Sequence, residues 1–247
     1  MKVHVLTLGH APARTIRAGL ARFYETHHPQ LPITHWLVDH HYPLRHAETR
    51  LAIDSAALAY GAVVLDPGRN LGLHGGANWA FTQMGIKSGD ILIMYDPDSY
   101  PLQFGWDAAL MTAITQGGLS VACLSLIEAT RHELDTRGFT RRQVGPLEID
   151  EPKVPCMMSV TALQWDFIAA AGGFQEPNAC YGGLEGFLWS KLAGRRWGYL
   201  TGYQEDQRVH RDQDPEYRAW KVAHAHTGAW PGDFPSFLAA GCSGLMK

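Results

Sequence analysis

ILIMYDPDSYP, residues 91–101, is the stretch on which the reading of the whole chain turns. Four apolar residues, Ile91, Leu92, Ile93 and Met94, form a short buried-strand pattern that delivers two carboxylates, Asp96 and Asp98, at its carboxyl end. In open α/β sheets, ligands sit outside those strand ends. If the segment stays extended, side chains two residues apart point to the same side, so both carboxylates face one cation. Hard oxygen ligands with few protein carboxylates suit Mg2+ or Mn2+, which keep water and phosphate oxygens in their shells. The same residues, Asp-Pro-Asp-Ser-Tyr-Pro, also read as a strand-ending turn with no ligand.

Upstream, the chain alternates strand and helix patterns. Residues 3–8 are an apolar, β-branched run, and residues 15–26 place Ile16, Leu20 and Phe23 at helical spacing. Strand patterns at 33–38, 62–65 and 90–95 alternate with helical ones at 45–60 and 75–87. Such alternation predicts an α/β fold, a parallel sheet with helices on both faces. Downstream, residues 131–155 are polar and broken by Gly and Pro, which fits either a loop or a small antiparallel excursion. Strands are expected at 157–163 and 197–203, and helices at 165–171, 184–193 and 216–226.

Two other segments sit where ligands would. The stretch DPGRNLGLHGGANWAF, residues 66–81, places Arg69, Asn70, Gly72, Gly75, Gly76 and Asn78 between a strand and a helix. Glycines there let the backbone approach a ligand, and the helix N-terminus offers free N–H groups to phosphate. It is neither a Walker loop nor a dinucleotide fingerprint, because no Gly-Lys-Ser/Thr follows and the glycine spacing differs. Asp39 ends the second strand. A carboxylate there can accept N–H bonds from a nucleobase or capture ribose hydroxyls, and it can equally be a plain solubilising strand end.

Composition narrows the classes. The 247 residues are 46% hydrophobic and 18% charged, with a net charge of −3, so the chain can build a full core and has no basic excess for a nucleic-acid backbone. The four cysteines, Cys123, Cys156, Cys180 and Cys242, lack zinc-ribbon or redox spacing. No run approaches the 18 or so apolar residues of a membrane helix. A cytoplasmic protein without a membrane span is expected.

The order of these pieces, with Asp39, the Asn70–Gly72–Asn78 segment, Asp96-Pro97-Asp98, then AGGFQEP and YGGLEGFLWSKLAGRRWGYL, resembles family 2 glycosyltransferases of the GT-A fold over roughly residues 1–212. The resemblance implies a mixed, mainly parallel sheet flanked by helices in a single domain, and an inverting, Mn2+- or Mg2+-dependent transfer of a sugar from a nucleoside diphosphate sugar, a UDP-sugar, to an acceptor hydroxyl. It implies that Asp39 contacts the base and that Arg69, Asn70, Gly72 and Gly76 line the nucleotide pocket. Asp96 would meet the ribose or the metal, and Asp98 the metal. Family members usually follow Gly-Gly-Phe with a Glu-Asp pair whose Asp is the catalytic base. Here Gly172, Gly173 and Phe174 are present and the pair is not; aligning Leu188 and Lys191-Leu192 puts Glu185 at the base position, one methylene longer than Asp.

A histidine near the end of the catalytic region often completes the metal site, which nominates His210, with His224 and His226 as competitors. The pairs His27-His28 and His40-His41 are expected on the surface or in loops. Trp165 and Tyr181 flank the acceptor side and are candidate sugar-stacking platforms; the other tryptophans are expected in the core. Residues 1–98 would form the donor half, 99–230 the acceptor half, and 231–247 a tail; oligomeric state and acceptor stay open. Two other classes fit less well: a nucleotidyltransferase, whose glycine-rich basic loop would follow the first strand where LGHAPARTIR has one glycine, and a silent nucleotide-sugar-binding protein, favoured by the missing Glu-Asp pair.

Overall fold

The computed structural model describes residues 1–42, 44–127, 129–156, 158, 160–174, 184–206 and 215. Its spine is β1 (Val3–Gly9), whose seven residues are all buried. It is paired in parallel with β2 (Ile33–Asp39) on one side and β4 (Ile91–Met94) on the other. A continuous apolar strand of this kind needs cover on both faces. Alternation along it supplies this: Leu6 and Leu8 pack on one face, while Val3 and Val5 face the other. The intervening helices are α1 (Ala13–Thr26), α2 (His46–Tyr60) and α3 (Gly72–Met84), with the edge strand β3 (Val63–Leu65) between the last two. In α1, Ile16, Leu20 and Phe23 are buried at the spacing that predicted the helix. Left-handed glycines, Gly61 and Gly85, stop α2 and α3.

Beyond β4 lie α4 (Trp106–Thr115), β5 (Val121–Leu126), α5 (Ala129–Arg137), β6 (Phe139–Val144) and β7 (Leu147–Pro152). They are followed by β8 (Thr161–Gln164), α6 (Trp165–Ala171), α7 (Leu184–Ser190) and β9 (Trp197–Glu205). The nine-stranded sheet has the order β3-β2-β1-β4-β8-β5-β9-β7-β6. Strands β5 and β9 are parallel to each other, and β8 runs antiparallel between β4 and β5, so β1, β2, β4, β5 and β9 share one direction. The mixed, mainly parallel sheet anticipated from the sequence is present.

Residues 131–155 are not a loop. They complete α5 and form the antiparallel hairpin β6–β7, turned at a left-handed Gly145 (φ 54°) and joined to the sheet through β7 and β9. Charge keeps the exposed edge strand from pairing further: Arg141 bonds Asp150 at 2.7 Å and Arg142 bonds Glu151 at 2.8 Å. The strand expected at 157–163 shrinks to β8, and the helix expected at 75–87 begins three residues earlier, at Gly72. The helix expected at 216–226 lies outside the described residues. Among the described residues no helix is long and apolar enough to cross a membrane.

Candidate active site

The carboxyl ends of β1, β2, β4, β5 and β9 lie on one rim of the sheet, and the antiparallel β8 begins there. Asp39 closes β2, Asp96 and Asp98 follow β4, and Glu205 closes β9. Glu185, in the first turn of α7, reaches the same rim because its Oε1 accepts the Met158 N–H at 3.4 Å, just ahead of β8. Asp39, Asp98 and Glu185 therefore belong to a single edge.

After Tyr95 the chain is not extended. The Ser99 N–H donates to the Asp96 carbonyl at 2.9 Å, so residues 96–99 form a turn. This corrects the expectation that extended backbone aligns the two carboxylates: a turn carries them, both half-buried, and the turn and the acidic pair are one structure. The turn is gripped from behind by α1. The Tyr95 hydroxyl donates to the Gly19 and Ser99 carbonyls at 2.8 and 2.9 Å. Arg22 donates from Nε to the Pro101 carbonyl (2.6 Å) and from Nη2 to the Leu102 carbonyl (3.1 Å), and its guanidinium lies 4.7 Å from the Tyr100 ring centre. Complete burial, and after it the charges of Glu205, Asp98 and Asp96, push the Tyr95 hydroxyl well above its ordinary pKa despite Arg22, so it remains a neutral donor.

At the end of β2, Asp39 is fully buried. Its Oδ1 accepts the His41 N–H at 3.1 Å; its Oδ2 meets His46 Nε2 at 2.9 Å and Arg50 Nη1 at 3.3 Å. Arg50 also donates to Asp66 Oδ2 (2.7 Å), and His41 Nε2 pairs with Asp66 Oδ1 (2.8 Å). These contacts, with the Gly68 N–H, draw the Asp66 carboxyl down to about 2, the His41 bond contributing most. Asp39 is thus the anchor of a network whose partly exposed members are His41, His46 and Arg50. Asp39, His41 and His46 place three ligand atoms within 4.8 Å of one another. The two imidazoles, however, stack at 4.3 Å with an interplanar angle of 21°. One ion cannot lie in two near-parallel ring planes, so the group is a hydrogen-bonded network as it stands.

The glycine segment is shaped by two demands. Gly72 opens α3 with φ 73°, a conformation that disfavours any side chain, and Asn70 Oδ1 accepts its N–H at 2.9 Å. Asn70 Nδ2 is buried without a partner among the described residues, a donor ready for an anionic or hydroxylated ligand. A Cβ on Gly76 would stand 2.4 Å from His40 Nε2, so only glycine lets α3 approach that ring. His40 lies in the loop after β2 but not on the surface: it is buried, accepts the Leu71 N–H at 3.4 Å, and burial pulls its pKa down to about 4. Arg69 is exposed in this segment.

Trp165 does not reach the site. Its N–H donates to the Asp90 carbonyl at the opposite edge of the sheet, and its ring packs on Phe81 in the core at 5.3 Å. Because β8 runs antiparallel, the helix after it starts at the far edge. Tyr181 and His210, with His224 and His226, lie outside the described residues. Glu205 escaped sequence reasoning. It is fully buried, and its Oε1 accepts the Val160 N–H at 3.0 Å; its backbone joins Pro101 and Ile127, tying three strand ends to the acidic turn. The only signal was an acid ending an apolar strand, in a strand expected to stop at 203.

No protein-family model and no curated protein matches the sequence. Solved structures do match. A Pyrobaculum calidifontis mannosyltransferase, PcManGT, in complex with GDP-Man and Mn2+, superposes with a TM-score of 0.64 at 16% identity, over 90% of this chain and 61% of that one. GalNAc-T7 with UDP, GalNAc and Mn2+ gives 0.62 at 12% identity, over 89% of this chain and 47% of that one. S. aureus TarS, residues 1–349, with UDP-GlcNAc gives 0.59 at 14% identity, over 98% and 66%. The chain thus spans about half to two thirds of these structures' lengths. At such identities the likeness speaks to architecture, and the architecture is the GT-A-like α/β fold.

Proposed function

We propose that the chain is a cytoplasmic, metal-dependent, inverting glycosyltransferase that moves a sugar from a nucleoside diphosphate sugar, a UDP-sugar, to an acceptor hydroxyl. The observation that carries this reading is the convergence of Asp39, Asp96, Asp98 and Glu185 on one rim, beside a helix opening at Gly72 where Asn70 Nδ2 is buried without a partner among the described residues. The proteins of similar architecture are described with UDP, UDP-GlcNAc or GDP-Man, two of them with Mn2+. Residues 1–98 would hold the donor and residues 99–230 the acceptor.

The donor set fits a hard cation. Asp96 and Asp98 are half-buried carboxylates on a turn fixed by α1, and oxygen ligands of this kind select Mg2+ or Mn2+ over softer ions. Asp96 and Asp98, with His210 as the proposed third ligand, would hold such a cation, which would supply positive charge against the departing diphosphate. The remaining work falls to the chain. The Asp39 network and the segment Arg69, Asn70, Gly72 and Gly76 hold the nucleoside and its phosphates. Glu185 takes the acceptor hydroxyl proton as that oxygen bonds the sugar C1 and the C1–oxygen bond to the diphosphate breaks.

The test is nucleoside diphosphate release from a panel of nucleotide sugars with Mn2+. Glu185→Gln should lower turnover about 10²–10⁴-fold, the usual worth of a general base, with donor affinity unchanged. Retained turnover removes Glu185 from the role. Pyrophosphate release from a nucleoside triphosphate would instead identify a nucleotidyltransferase.

A further inference from the structure

Asn78 sits in α3, buried, and uses both ends of its amide on one residue far along the chain. Its Nδ2 donates to the Phe174 carbonyl and its Oδ1 accepts the Phe174 N–H, both at 2.8 Å. The approach is so close that a Cβ on Gly173 would stand 2.6 Å from Asn78 Oδ1, and Gly173 has φ 84°. The Phe174 ring is buried against Phe81, 5.3 Å away, and edges toward His74 at 6.5 Å. His74, Asn78 and Phe81 therefore form one face of α3 that clasps Phe174 by backbone and ring. The first turns of α3 are fastened beside the end of β2 through Asn70 on Gly72 and His40 against Gly76. Gly72 and Asn78 are six residues apart, about 9 Å along a helix.

We propose that Asn78 is a positioning residue that sets the spacing between the two halves of the site. Through α3 it fixes Phe174, eleven residues before Glu185, relative to the segment that would hold the donor. An amide suits this role because it alone offers a donor and an acceptor in one plane, matching a backbone C=O and N–H together. The inference rests on the glycosyltransferase reading for its catalytic consequence, but not for its structural one.

Two variants test it. Asn78→Asp keeps the shape and loses the donor, turning a carboxylate oxygen toward the Phe174 carbonyl; Gly173→Ala disturbs the clasp from the other side. In both, kcat for sugar transfer should fall tenfold or more while KM for the donor and the affinity for UDP with Mn2+ stay within twofold. Amide exchange at Phe174 should accelerate at least tenfold relative to the α1 and β1 amides of the same sample. A merely structural role would lower the melting temperature and raise exchange throughout, leaving the kcat to KM balance alone. Folded variants with unchanged kcat, or with Phe174 protected as in the wild type, overturn the proposal. If the wild type itself releases no nucleoside diphosphate from any nucleotide sugar, the functional reading has failed; the clasp is then judged by Phe174 exchange alone, where unchanged protection refutes it.

Discussion

Gly19 lies in the middle of α1, where the helix meets the acidic turn. A Cβ there would stand 2.1 Å from the Pro97 carbonyl oxygen, and 2.9 Å from its carbon. Real contacts of this kind begin near 3.0 Å. Gly19→Ala must therefore move the turn or the helix by about 0.9 Å, the difference between the two. Both are held: the turn through Tyr95 and Arg22, the helix through Ile16, Leu20 and Phe23 in the core. Two effects compete. Replacing a mid-helix glycine by alanine favours the helix by about 1 kcal/mol, while overpacking against backbone costs about 1–3 kcal/mol. The net change in stability lies between zero and a loss of about 2 kcal/mol, a melting temperature lower by at most about 8 °C in a chain of this size. The effect on activity should be larger in proportion. Asp96 and Asp98 flank Pro97, and misplacing reacting groups by about 1 Å can cost about 10²-fold. The assay pairs thermal melting with Mn2+-dependent nucleoside diphosphate release. A folded Gly19→Ala protein that melts higher than the wild type and keeps its turnover would refute the idea that α1 positions this turn.

Asp98→Asn should weaken UDP binding in the presence of Mn2+ by more than about tenfold, the lower end of what loss of an outer-shell partner costs a metal site. Titration calorimetry with and without Mn2+ measures this, and equal affinities would remove Asp98 from the metal site. Acid should unfold the protein through its buried histidines. Burial lowers His35 to about 3 and His40 to about 4, below the 6.5 of the unfolded chain, so the unfolded state binds more protons and stability falls as pH drops from 6.5 toward 4. At pH 5 each group costs about 2 kcal/mol, 1.5 units below 6.5 at 1.36 kcal/mol per unit, and both together about 4 kcal/mol. Denaturant melts at pH 7 and pH 5 read this, with His35→Asn expected to remove about half of the difference; equal stabilities would contradict it.

The first four strands and three helices were legible from apolar runs alternating with helical stretches and from the turn residues that separate them. β1 is a buried apolar run, α1 repeats Ile16, Leu20 and Phe23, and Gly61 ends α2. Less could be read after β4. In α4, Trp106, Asp107, Ala109, Leu110, Met111, Ala113 and Ile114 are buried, so the helix has little polar face to betray its period. The short run of β5 is likewise ambiguous. Nor does anything local tell β8 to run antiparallel between β4 and β5. That direction is set by its partners, and it decides that Trp165 begins its helix at the edge away from the acidic rim.

The same distinction separates the site residues that could be found from those that could not. Asp39, Asp96 and Asp98 are visible because an acid directly after an apolar strand is a local event, and strand direction then delivers all such ends to one rim. What holds them is not local. Gly19 meets Pro97, Arg22 meets Pro101 and Asn78 meets Phe174 across 78, 79 and 96 residues of chain. In the sequence, Gly19 is an unfavourable glycine inside a helix and Asn78 one polar residue among glycines. In the fold, Gly19 leaves room for the acidic turn and Asn78 ties α3 to the backbone of Phe174. A carboxylate at a strand end identifies where chemistry is placed; whether it is held closely enough to act depends on small and amide residues whose partners only the fold supplies.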